Sequence, residues 1–139
     1  MRLKRFFLKI RMEKIMKLTN LLSVAFFAFI GGNLRYLIGQ ALGLVGTLSV
    51  NLGGCFLLAF LIYYLFDRRH VPSWLTTGLG TGLIGAFTTF STFSLELGKL
   101  LLAHAWGAAS AYFLLSSIGG LTLVWLGYLL AQRLRGLNR

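Results

Sequence analysis

Acidic residues are nearly absent: Asp and Glu together number 3 in a chain of 139 residues. That leaves little for paired carboxylate acid–base chemistry. The one cysteine, Cys55, excludes an intrachain disulfide framework and a cysteine-cluster metal site. The two histidines, His70 and His104, have no partners at metal-ligand spacing. Proline occurs once, at Pro72, and no Pro/Ser-rich tract marks a linker or a disordered segment. No HExxH, GxSxG or P-loop pattern occurs, so no enzyme is expected. Charged residues make up only 12% of the chain against 57% hydrophobic. A soluble domain this small needs more charge, because much of its surface faces water. The composition therefore points to a single all-α integral membrane domain.

What charge there is has one sign and one pattern. The net charge is +11, a value that in a soluble protein suggests nucleic acid. Here the distribution argues against that partner. Arg2, Lys4, Arg5, Lys9, Arg11, Lys14 and Lys17 crowd the first 17 residues, and most of the others flank apolar runs. This is juxtamembrane anchoring to a lipid bilayer. Four apolar segments follow, at about 18–41, 46–66, 74–102 and 106–132. Each reaches the ~20 residues a helix needs to cross the hydrocarbon core. The reading divides the chain into a basic N-terminal extension (1–17), a four-helix transmembrane domain (18–132) and a basic C-terminal tail (133–139). Met16 offers a second plausible start. The first turn is expected within Gly39–Gly46, and Pro72-Ser73 is placed to begin the third helix. With four crossings, the N-terminal bases share a side with Arg68, Arg69, Arg133, Arg135 and Arg139. The other side carries Lys99, with Arg35 near a helix end. The basic side is expected to be cytoplasmic.

Segment three carries the most information. Its centre, Gly85-Ala86-Phe87-Thr88-Thr89-Phe90-Ser91-Thr92-Phe93-Ser94-Leu95-Glu96, crowds residues that weaken a helix or offer its backbone other partners. Irregular backbone at membrane depth is tolerated only inside protein or along a polar cavity. A break near Gly85–Thr88 is expected, and carbonyls freed there suit a bare cation such as Na+. Phe90 and Phe93, three apart, share a face. They either pack apolar surface or offer positive ring edges to a small anion. Asn51 either donates its amide to such an anion or bonds a neighbouring helix. Arg35 either draws anions at a pore mouth or snorkels to headgroups. Glu96 either ends a polar track or pairs with Lys99. Tyr112 and Ser116, four apart on segment four, could replace water around an ion or bond between helices.

Taken together, Gly31-Gly32-Asn33-Leu34-Arg35-Tyr36, Gly46-Thr47-Leu48-Ser49-Val50-Asn51-Leu52-Gly53-Gly54 and the Gly85–Glu96 run resemble the CrcB/Fluc family of bacterial fluoride channels. The resemblance covers about residues 18–132. It implies four transmembrane helices per subunit, a broken third helix and an antiparallel, dual-topology dimer in the plasma membrane. It implies two fluoride pores and a structural Na+ held by backbone carbonyls of Gly85 and Thr88. By position, Phe90 and Phe93 are the pore phenylalanines, Asn51 the amide near the ion path and Arg35 the vestibule arginine. Thr89, Ser91, Ser94 and Glu96 belong to the polar run of helix three, and Tyr112 and Ser116 to the track on helix four. Gly120 stands where the family often has a further hydroxyl. The lopsided basic flanks also admit a paired homologous subunit in place of a second copy. The function implied is passive fluoride efflux. Two other classes compete: a small proton-coupled exporter of a cation or drug, which needs Glu96, and a membrane assembly subunit without transport.

Overall fold

The structure, a computed structural model, describes residues 2–66 and 71–136. Residues 67–70 of the expected loop and 137–139 of the expected tail (133–139) lie outside the described residues, while 133–136 are helical. Every element in the described residues is helical. Helical backbone runs over Arg2–Leu61, but Gly43 interrupts it with φ 53 and ψ −130, so two helices are joined there. They are named α1 (2–42) and α2 (44–61), the latter continued by wide turns over Ile62–Phe66. Only glycine enters that region of φ without strain. A side chain at Gly46 would also meet the Ile38 carbonyl at 2.6 Å, a contact that requires the chain to double back. The expected turn within Gly39–Gly46 thus resolves to one residue.

α3 has three parts: Ser73–Thr77, a wide-turned segment Gly78–Ile84 and a last turn, Gly85–Phe87. Pro72 precedes it in extended conformation, and its carbonyl accepts from the Leu75 and Thr76 amides. α4 (Phe90–Leu102) and α5 (Trp106–Gly136) follow, separated by a turn with His104 at φ 55. The segment expected over 74–102 is therefore two helices. Helical backbone begins at Arg2 and runs without interruption into the apolar segment.

Packing is by small residues, as expected where apolar lipid gives helices no reason to hide large side chains from it. Gly78 and Gly82 admit Ser23, Phe27 and the backbone at Val24, while Gly31 lies against the Leu83 carbonyl and the Phe87 amide. α1 and α3 thus run alongside each other in one direction. On α5, Gly119 faces Leu52 and Gly127 faces the Phe56 carbonyl, so α5 runs parallel to α2. The most buried apolar residues are Val50, Ile84, Ala109, Tyr112 and Ala131. Large apolar side chains face outward instead, including Leu21, Phe29, Leu121 and Trp125. Two helical stretches, Ile15–Leu65 and Trp106–Gly136, are long and apolar enough to cross a bilayer. This is the polarity of a protein whose solvent is lipid.

Candidate functional site

The site forms where α3 gives way to α4. Thr88 (φ −86, ψ 157) and Thr89 (φ −149, ψ 123) are extended, so helical backbone stops after Phe87 and resumes at Phe90. The interruption falls at the end of the expected window, and Gly85 itself is helical. Glycine weakens a helix but can remain in one. What ends this helix is a partner from α2. Asn51 Oδ1 accepts from the Thr89 N–H at 2.7 Å, and Asn51 Nδ2 donates to the Thr89 carbonyl at 2.9 Å. In an unbroken helix, the Thr89 N–H would donate to the Gly85 carbonyl. A second diversion lies just beyond. The Thr92 N–H donates to Thr89 Oγ1 at 3.2 Å, capping α4, instead of reaching the Thr88 carbonyl. The Gly85 and Thr88 carbonyls thus lack the donors that a continuous helix would bring them.

The Ala86 carbonyl has a different fate. It accepts from Arg35 Nε at 3.0 Å. The arginine expected at a vestibule is therefore fixed at the carboxyl end of α3, where a cation is favoured by the helix dipole. At Gly54 any Cβ would collide with the Thr88 methyl group, so α2 lies directly against the break.

Two cavities meet at Thr89. The larger, about 380 Å³, is lined by Asn51, Thr88, Thr89, Phe90, Phe93 and Ser116, with Cys55 and Ser117 among the rest. The smaller, about 200 Å³, is lined by Arg35, Thr89, Thr92 and Glu96, with Gln40 and Thr47. Phe93 is buried and stands 5.1 Å from the Tyr112 ring, centroid to centroid, whereas Phe90 is 80% exposed. Ser116 Oγ is buried and has no hydrogen-bond partner, singular in that among the described side chains. The Glu96 carboxylate accepts from Thr47 Oγ1 at 2.9 Å and from Tyr112 Oη at 2.6 Å, so its partners are hydroxyls and not Lys99. Ser91 and Ser94 are not among the lining residues of either cavity. Ser94 Oγ donates to its own helix at the Phe90 carbonyl, and Ser91 Oγ lies 3.3 Å from Thr89 Oγ1.

Among the polar lining residues, Gln40 was not singled out from the sequence, and Thr47 stood there only as part of the Gly46–Gly54 motif. Thr47 carried a usable signal: it lies four residues before Asn51 and hence on the same face of α2. At Gly120, a Cβ would meet Cys55 Sγ at 3.5 Å, so the thiol stands beside the place where the family's further hydroxyl is expected.

These features define a small all-α membrane protein. Its polar groups gather at a helix interruption beside a cavity, not in a catalytic array. The profile described as CrcB-like protein, Camphor Resistance (CrcB), matches residues 22–128, and the chain belongs to that family. Among its relatives, "fluoride-specific ion channel FluC 2" of Ligilactobacillus salivarius is 49% identical over 118 residues, covering 85% of this chain and 89% of that protein. "Fluoride-specific ion channel FluC 1" of Lactobacillus delbrueckii subsp. bulgaricus is 51% identical over 108 residues, 78% of this chain and 84% of that one. "Fluoride-specific ion channel FluC 2" of Listeria monocytogenes serovar 1/2a is 47% identical over 122 residues, 85% of this chain and 93% of that protein.

Proposed function

We propose that the chain is a fluoride-specific ion channel that lets fluoride leave the cell passively and so lowers its toxicity. The observation that carries this reading is the larger cavity. There, Asn51, Thr89 and the partnerless Ser116 Oγ stand beside the Phe90 and Phe93 rings without a fixed charge among them. Fluoride is small and strongly hydrated. A narrow path must replace its water with N–H and O–H donors and positive ring edges. Each group donates weakly, so the ion is held without being trapped. Direction follows from the membrane potential, and no nucleotide is consumed.

The architecture proposed is four crossings of the plasma membrane over residues 18–132, with basic tails at 1–17 and 133–139. α3 and α4 together form the third crossing. Phe90, exposed beside the cavity, supports a path completed by a second subunit. That subunit is an inverted copy of this chain, or a paired homologue. Na+ fits the break: the Gly85 and Thr88 carbonyls have lost their helical donors, and backbone oxygen suits a hard cation. When bound, it supplies a static positive charge beside the path. Arg35 and Glu96 mark the end of the polar track at the smaller cavity.

The test is fluoride-electrode efflux from liposomes holding the purified protein, with chloride as comparison and Na+ varied. Fast fluoride efflux with chloride retained is expected. Equal loss of both halides overturns the reading. The exporter alternative predicts that flux follows a proton gradient and stops in Glu96→Gln. The assembly alternative predicts no flux.

A further inference from the structure

Arg35 lines the smaller cavity, yet its Nε is committed to backbone. An arginine that attracts anions leaves its guanidinium in the vestibule. Here the guanidinium is tied down, with Nε donating to the Ala86 carbonyl at 3.0 Å. Ala86 lies in the last turn of α3, one residue beyond Gly85 and two before Thr88. In a continuous helix, its carbonyl would accept from the Phe90 N–H, but Phe90 opens a new helix past an extended pair. The carbonyls of this turn therefore compete for whatever cation or donor comes near, and Arg35 takes one of them.

We infer that Arg35 is a positioning residue that, together with Asn51, selects which carbonyls of the break remain open. Asn51 holds the far side by taking both the N–H and the carbonyl of Thr89. Arg35 holds the near side through Ala86. With Ala86 occupied, the peptide plane between Ala86 and Phe87 is held in one orientation, which narrows the φ and ψ open to Ala86 and Phe87 and so limits how the Gly85 carbonyl beside it can turn. Arg35 thus acts on the cation seat through geometry at the opposite side of the residue to be coordinated, and its charge is not the operative property. This inference rests on the channel reading above and adds a role that the reading does not require.

The two properties of arginine, charge and an N–H at Nε, can be separated. Glutamine places its Nε2 as many bonds from Cα as arginine places Nε, but carries no charge. Lysine keeps the charge and moves the donor one bond further out. The experiment compares the unmodified chain with Arg35→Gln, Arg35→Lys and Arg35→Leu in two readouts. One is fluoride efflux at low and high ionic strength. The other is the Na+ concentration that half-maximally raises the thermal unfolding temperature in detergent, which needs no transport. If Arg35 positions the break, Arg35→Leu raises that Na+ concentration about tenfold, the upper range for one lost hydrogen bond. Arg35→Gln stays within about threefold of the unmodified chain, and Arg35→Lys falls nearer to Leu. Flux of the unmodified chain then changes little with ionic strength. If Arg35 works by charge, Lys rescues and Gln does not, and flux of the unmodified chain falls as salt rises. That second pattern overturns the inference. The salt series on the unmodified chain stands even if a variant fails to fold. Failure of the channel reading shows separately, as absent or unselective fluoride efflux in the unmodified chain.

Discussion

Replacing Asn51 with leucine, of similar size and shape, removes the link between α2 and the break while leaving packing largely intact. Two hydrogen bonds are lost, at 2.7 and 2.9 Å, both to the backbone of Thr89. Each part-buried backbone group left without a partner costs roughly 1–3 kcal/mol. Because neither group is fully enclosed, the low end applies to each, giving about 2 kcal/mol in sum. Total stability is on the order of 5–15 kcal/mol, so the chain still folds. The break itself does not survive as well. Freed from Asn51, the Thr89 N–H can return to the Gly85 carbonyl and extend α3. That one exchange closes a cation seat and turns Thr89 out of the wall between the two cavities. A bias of about 2 kcal/mol towards the closed form corresponds to a ~30-fold fall in the open population. Fluoride efflux per reconstituted protein is expected to fall by about that factor, with Na+ dependence reduced in parallel. Efflux within threefold of the unmodified chain, with Na+ dependence unchanged, would refute the argument that Asn51 creates the break.

Other outcomes follow from the same geometry. Ser116→Ala removes the partnerless buried hydroxyl, so it should leave the melting temperature unchanged or raised while slowing fluoride efflux; a clear loss of stability would mean that the hydroxyl has a structural partner. Glu96→Gln should keep fluoride efflux independent of a proton gradient, with stability lowered by about 1 kcal/mol as one hydroxyl loses a charged acceptor; efflux abolished together with a gradient dependence in the unmodified chain would favour the exporter. Phe90→Ile should slow efflux with stability changed by no more than about 0.5 kcal/mol, because the ring is exposed. Phe93→Ile should slow efflux and also cost roughly 1–2 kcal/mol in chemical denaturation, because that ring is buried against Tyr112.

The class of fold was legible in the sequence because composition alone decides whether lipid or water is the solvent. The turn was narrowed to Gly39–Gly46, and only Gly43 takes positive φ. Periodicity cannot show which of several glycines will turn, since the choice depends on how closely the returning helix must approach. The break was placed near Gly85–Thr88 from local propensity, while the extended pair is Thr88–Thr89. The shift arises from Asn51, 38 residues earlier, which local propensity cannot see. The same holds for Arg35 on Ala86 and for Thr47 on Glu96, each a pairing across about fifty residues. Ser91 and Ser94 were placed in the polar run by the family resemblance; on an α-helix that starts at Phe90 both are exposed.

The hairpin at Gly43 has a consequence for how this gene can vary. Arg35 and Asn51 lie equally far along the chain from that glycine, one on each arm, and the hairpin delivers them to opposite lips of the same interruption. One added or deleted residue in either arm swings the residues beyond it by about 100° around the helix axis. Arg35 or Asn51 would then be aimed at lipid or at a neighbouring helix. The tip should accept changes of residue type except at Gly43 and at Gly46, where a Cβ would meet the Ile38 carbonyl, yet length there should be fixed, as in a calliper whose jaws are set by the distance to the hinge.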